Sequence, residues 1–181
     1  MAVRVRLVEP KPQDRGEFID LVEASVDLHR PWTYPPADAA SFRRLLDRNR
    51  ADNFFALLAR RTADDALLGL FEFSEVVRGS FQNAYLGYWV GEPYAGQGYM
   101  REGMQLALRF AFQELRLHRV EANIQPANKP SLALVKESGF RREGFSPRYL
   151  KIGGRWRDHE RWAILADEGR ISVKARRFAG R

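Results

Sequence analysis

No cysteine occurs anywhere in the chain, which excludes disulfides, thiolate metal sites and nucleophilic cysteine chemistry. Imidazole is scarce as well: His29, His118 and His159 stand far apart, and none belongs to an H-E-x-x-H spacing. Long apolar runs are missing. Nothing approaches the roughly 18–20 residues that span a bilayer, and the opening "MAVRVRLVEP" has no signal-peptide core. No membrane partner and a cytoplasmic location are therefore expected. Acidic residues are outnumbered 23 to 30 by basic ones, a formal charge of +7. That excess suits an acidic small molecule in a cleft as well as a nucleic acid. Part of it is local, since "ADEGRISVKARRFAGR" at the C-terminus holds five basic and two acidic residues. This reads as a solvated tail, so direct nucleic-acid binding is not expected.

What is present fits one domain. A chain of 181 residues, 45% hydrophobic and 29% charged, buries a substantial core. No repeat, low-complexity linker or internal boundary appears, so a single domain is expected over 1–166, followed by a basic tail over 167–181. "VRVRLV" (3–8) alternates at period two, a strand. "PQDRGEFIDLVEASVDLH" and "PADAASFRRLLDRNR" carry helical spacing, with Phe18, Leu21, Val22 and Val26 on one face and Phe42, Leu45 and Leu46 on the other's. Three strands are predicted in "NFFALLARR", "ALLGLFEFSEVV" and "NAYLGYWVG", the last two punctuated by Gly79 and Ser80. Residues 99–115 read as one long helix with a stripe from Met100 to Leu115. A strand "RVEANIQ" and a short helix "NKPSLALVKESGF" follow. The strands "FSPRYLKI" and "RWRDHERWAIL" then flank Gly153-Gly154, a hairpin dipeptide. The class is α+β around a mainly antiparallel sheet.

The stretch "WVGEPYAGQGYMREG" places Gly96 and Gly98 where a strand hands over to a helix. A helix start bares unpaired N–H groups and the positive end of its dipole, and glycines before it let the backbone close around a phosphate. A dinucleotide fingerprint needs a third glycine where Arg101 stands, and a Walker loop needs G-K-[ST], which is absent. A merely tight turn remains the plain alternative at this point.

The surroundings carry more. "FSEVVRGSF", "YLGYWVG", "GQGYM", "LHRVEAN", "NKPS", "GFRREG" and "GRWRDH" follow one another over residues 73–159. In that order they resemble the GNAT N-acetyltransferase family, and within it the RimJ/RimL type, which acetylates N-terminal amines of ribosomal proteins. The resemblance implies a mixed, mainly antiparallel sheet with flanking helices, and a splayed strand pair that forms a cleft for acetyl-CoA. It implies that backbone groups of Tyr88, Trp89 and Val90 pair with the pantetheine amides as an added strand would. It further implies that Gly96, Gln97, Gly98, Tyr99, Met100 and Arg101 hold the pyrophosphate through their amides. The family has Arg or Gln three residues before the first loop glycine, where this chain has Pro93, so any side-chain support from that point is lost. No metal is implied.

By the same resemblance Ser131 is the proton donor to the departing thiolate, and the residue pattern equally allows a first-turn helix serine after Pro130. Asn128 is expected to cap that helix, bind CoA, or both. For the base, alternation places Glu72 with Leu70 and Ser74, opposite Phe71 and Phe73, so its carboxylate faces either the cleft or solvent. The loop "HRPWTYPP" (29–36) is expected to border the acceptor, and His118 to be packed or solvated. The implied acceptor is a protein N-terminus, a ribosomal protein's in particular. A small-molecule amine and a non-catalytic ribosome- or RNA-binding role on the same fold stay open, as does a homodimer. An intact pantetheine strand and "GQGYM" loop argue against a degenerate site.

Overall fold

The computed structural model describes residues 3–168; the tail expected over 167–181 lies outside them from residue 169 onward. The elements run β1 (Val5–Val8), α1 (Arg15–Glu23), α2 (Val26–His29), α3 (Ala39–Arg48), β2 (Phe55–Arg61), β3 (Leu67–Val77) and β4 (Asn83–Val90). There follow α4 (Tyr99–Arg109), β5 (Arg119–Ile124), α5 (Lys129–Glu137), β6 (Arg141–Ile152) and β7 (Arg155–Leu165). The strands form one sheet in the order β1-β2-β3-β4-β5-β7-β6. Every neighbouring pair is antiparallel except β4 and β5. Among the described residues no helix is long and apolar enough to cross a membrane.

Period-two alternation divides the core between the two faces. On one face Phe71, Phe73, Leu57 and Val120 pack under the α4 stripe of Met104, Ala107, Leu108 and Ala111, with Val135 of α5. On the other, Ala56, Leu58, Leu70 and Trp89 meet Phe18, Leu21 and Val22 of α1 and Phe42 and Leu45 of α3. The β6–β7 turn uses Gly153 and Gly154 at φ +57° and +78°, as the dipeptide predicts.

Two expected helices are interrupted, each for a tertiary reason. The helix predicted through residues 12–29 breaks at Ser25, which is buried. Its hydroxyl donates to the Leu21 carbonyl at 2.6 Å and accepts the Glu92 N–H at 2.8 Å, tying the end of α1 to the loop before α4. The helix predicted through 99–115 is α-helical only to Arg109 and then widens into one π turn, Phe110–Glu114. In that turn Phe110 lies 6.1 Å from both Phe55 and Phe73 while Ala111 and Phe112 stay buried.

The single parallel pair shapes the cleft. β4 and β5 are in register only at Asn83↔Arg119, Ala84↔Val120 and Tyr85↔Glu121. Beyond Tyr85 the strands part, while β4 stays paired to β3 as far as Gly69↔Val90. Residues 86–90 therefore present one bare strand edge.

α4 approaches this sheet closely because Gly103 carries no side chain. A Cβ there would lie 2.6 Å from Phe71 Cε2. Gly103→Val gains a few tenths of a kcal/mol in helix propensity but overpacks a full core, a net loss of about 2 kcal/mol. Urea denaturation should show a lower midpoint at unchanged slope; an unchanged midpoint would mean that Phe71 gives way.

Candidate active site

A cavity of about 640 Å³ passes through the gap between β4 and β5. That volume suits a small-molecule or cofactor site. On the α4–α5 side it is lined by Gly96, Gly98, Met100, Arg101, Asn128 and Ser131; on the opposite side by His29, Trp32, Gly87, Asn123, Gln125 and His159.

The loop into α4 leaves its backbone open. Gly96 and Gly98 sit at φ +72° and +80°, and Gly98 is the N-cap of α4. No atom lies within 4 Å of where a Gly96 Cβ would stand, and only Arg4 Nη2, at 3.3 Å, approaches that of Gly98. The glycines thus serve the left-handed turn and leave open the space that side chains would fill. The first-turn N–H groups of Tyr99, Met100 and Arg101 have no intrahelical acceptor. Pro93 contributes a carbonyl rather than a charge: it accepts from Gln97 Nε2 at 2.7 Å and closes the loop.

Arg4 supplies a clamp that sequence reading missed. It pairs with Glu102, donates to the Gln97 carbonyl at 3.3 Å, and stacks 4.8 Å from the Tyr99 ring centroid. Its partners lie more than ninety residues away in the chain, so no local pattern signals them.

At the strand edge, the Gly91 N–H donates to the Leu68 carbonyl, which makes this a hydrogen-bonded pair. Alternation from it turns Trp89's backbone groups toward β3 and those of Tyr88 and Val90 toward the cavity. Of the three residues expected to meet pantetheine, Trp89 thus turns its backbone groups away from the cavity. Its side chain packs 5.2 Å from Phe18 and 5.1 Å from His29 instead. His29, the first residue of the loop expected to border the acceptor, has Nε2 2.9 Å from the Val90 carbonyl. Burial pulls its pKa below the usual 6.5.

Asn128 is the N-cap of α5; its Oδ1 accepts from Ser131 N–H at 3.3 Å. Ser131 is the third residue of the helix and lines the cavity, and its side chain hydrogen-bonds to the Tyr88 phenol. The buried Tyr88 phenol donates to the Ser131 carbonyl at 3.3 Å, and burial pushes its pKa up to about 12. The phenol is therefore protonated at neutral pH.

Glu72 does not line the cavity. It lies behind Gly87, where an added Cβ would be 3.1 Å from Glu72 Oε1. Burial raises its pKa, opposed by the charge of Arg48. The 29–36 loop does border the cavity: Trp32 and Thr33 line it, and Gln125 Nε2 reaches the carbonyls of Pro31 and Trp32 at 3.3 and 3.4 Å. Tyr34 in turn touches the β6–β7 turn, where a Gly153 Cβ would be 2.4 Å from its hydroxyl. His118 is exposed and does not line the cavity. Among the described residues no His, Asp and Glu group is placed to hold a metal ion.

Known proteins resemble this chain in sequence and fold. The family described as the acetyltransferase (GNAT) domain matches residues 4–141. The ribosomal protein uS5-alanine N-acetyltransferase of Escherichia coli is 44% identical over 172 residues, covering 91% of this chain and 88% of that one. The probable N-acetyltransferase YjcK of Bacillus subtilis is 39% identical over 103 residues, 57% of each chain. Among solved structures, Mycobacterium smegmatis RimJ in complex with CoA-disulfide superposes with a TM-score of 0.83 at 28% identity, covering 91% of this chain and 83% of that one.

The anion loop yields a direct test. Valine at φ +80° costs about 1–2 kcal/mol, which corresponds to a factor of roughly 5–30 in an equilibrium. Gly98→Val should weaken CoA binding by that factor, read by calorimetry, while circular dichroism shows a folded protein. Unchanged affinity in a folded variant would dismiss the loop as the pyrophosphate site.

Proposed function

The chain belongs to the GNAT acetyltransferase family, and from that premise we propose that it acetylates the N-terminal α-amine of a protein, a ribosomal protein in particular. The activity itself is acetyl-CoA-dependent N-acetyl transfer. The observation that carries the acceptor reading is 44% identity to a ribosomal-protein alanine N-acetyltransferase over 91% of the chain. Such an acceptor places the reaction in the cytoplasm.

The cavity fits the co-substrate. The open space at Gly96 and Gly98 and the free first-turn amides of α4 receive the pyrophosphate, Arg4 steadies that loop, and Tyr88 and Val90 present backbone groups to the pantetheine amides. Acetyl-CoA supplies a thioester carbonyl open to attack by an amine. A bare N–H of β4, from Tyr88 or Val90, is aimed to stabilise the oxyanion that forms. Ser131 gives its hydroxyl proton to the departing thiolate, and Asn128 and Tyr88 fix the helix turn that carries it. Glu72 is set back behind Gly87, outside the cavity lining. An α-amine has a pKa of about 8 and is partly neutral at cellular pH, whereas a lysine at about 10.4 is rarely so.

Two measurements test this reading. Ser131→Ala should lower kcat by roughly 10–10³-fold with little change in KM for acetyl-CoA; trapping an acetylated Ser131 would replace direct transfer by an acyl-enzyme. A peptide with a free N-terminal alanine should be acetylated with higher kcat/KM than its N-blocked, lysine-containing twin. Equal rates, or a preference for the lysine or for a small-amine panel, would discard the protein N-terminus as acceptor.

A further inference from the structure

The acceptor side of the cavity holds an imidazole that the transfer as described leaves unused. His159 lies on β7, is 3% exposed, and lines the cavity. Its Nδ1 is 2.9 Å from the Arg157 carbonyl oxygen. A carbonyl only accepts, so Nδ1 carries the hydrogen, and the neutral ring keeps its lone pair on Nε2. Nε2 has no hydrogen-bond partner among the described residues and is not among the polar atoms sealed from solvent. The ring's aromatic neighbour is Tyr149, 6.3 Å away. A buried side chain is thus held by one nitrogen with the other left for whatever enters the cavity.

The other candidates are placed less well. His29 spends Nε2 on Val90, and its Nδ1 is sealed off without a partner. Glu72 meets the cavity only past Gly87. Beside His159 the cross-strand pair Asn123 and Arg161 leaves Asn123 Oδ1 and Arg161 Nε buried and unpaired, a polar floor next to the gap.

We propose that His159 is the proton acceptor of the transfer, taking the proton from the acceptor nitrogen through Nε2. The step rests on acetyl transfer in this cavity. As the nitrogen lone pair forms the C–N bond, the carbonyl π pair moves to oxygen, and His159 Nε2 removes one proton from the nitrogen. The carbonyl reforms, the C–S bond breaks, and sulfur leaves with that bond's electron pair and takes the Ser131 proton. His159 releases its proton to solvent and Ser131 regains one, so a neutral amine and a thioester become an amide and a thiol with no net proton change.

The ring is neutral where this chemistry runs. Burial holds its pKa below the usual 6.5, opposed by the Arg157 carbonyl and the charge of Asp158. The charged and titratable groups around it are Arg157, Asp158 and Arg161 on β7, and Tyr149 on β6, which hydrogen-bonds to Tyr85 of β4. Ser146 pairs with it on β6, and the 31–33 loop brings only Pro31, Trp32 and Thr33.

His159→Asn decides the matter, because its amide N–H can keep the bond to the Arg157 carbonyl while the Nε2 lone pair is lost. Expected is a fall in kcat of roughly 10² or more with KM for acetyl-CoA little changed. The acid limb of the kcat/KM–pH profile, below pH 6.5 in the native enzyme, should vanish in His159→Asn and persist in Glu72→Gln. A His159→Asn rate within about threefold of native, or loss of the limb in Glu72→Gln alone, overturns the proposal. Should the variant not fold, nitrogen-15 NMR of the CoA-bound native enzyme must show neutral His159 protonated on Nδ1; protonation on Nε2 overturns it. An inactive native enzyme on peptide α-amines would instead refute the acceptor reading, and the NMR result would still decide the role of His159.

Discussion

The parting of β4 from β5 after Tyr85 is the constraint on which the rest depends. Backbone groups at a sheet interior demand partners, yet Leu86, Tyr88 and Val90 are turned toward a neighbour that has moved away. The fold tolerates this because β3 holds the other edge of β4 and because α4 and α5 wall the gap on one side. An extended, amide-bearing ligand would satisfy the bare edge as a strand does. A helix N-terminus set at the end of that edge would then face its charged end. Placement of the reactive groups follows from this one geometric break.

Small residues set the tolerances around it. Gly87 leaves room for the Glu72 carboxyl, Gly103 lets α4 lie on Phe71, and Gly98 turns the chain into the helix. Larger polar groups hold the pieces in relation: Ser25 binds α1 to the residue after Gly91, Arg4 binds the N-terminal segment to Gln97, and Gln125 binds the end of β5 to the 31–32 carbonyls. Each joins segments distant in sequence, so the site is positioned by tertiary bonds rather than by any one motif.

This explains what was legible beforehand. Apolar patterning marked a strand for each of β1 to β7, β6 only from Phe145 although it begins at Arg141, and the main helices, because burial of one face writes itself into residue type. The glycine loop and the Asn-x-x-Ser turn were legible because local backbone chemistry, positive φ and capping, demands particular residues at fixed spacing. The break at Ser25 was not, since a serine inside a helical pattern shows nothing of a partner at Glu92. Nor was the direction of Trp89's backbone, which depends on strand register, or the role open to His159, which depends on which ring nitrogen a carbonyl two residues away engages.

The cavity that runs through the sheet has one further consequence, for the order of events. Its lining is drawn from both faces of the sheet, Gly98 and Ser131 on one and Trp32 and His159 on the other. Were co-substrate and acceptor to approach from these two sides, each product could withdraw the way its parent came. Neither would have to clear a path for the other, so the architecture would impose no compulsory sequence of arrival. It would favour a ternary complex reached from either direction over a shuttle in which one partner departs before the next can enter.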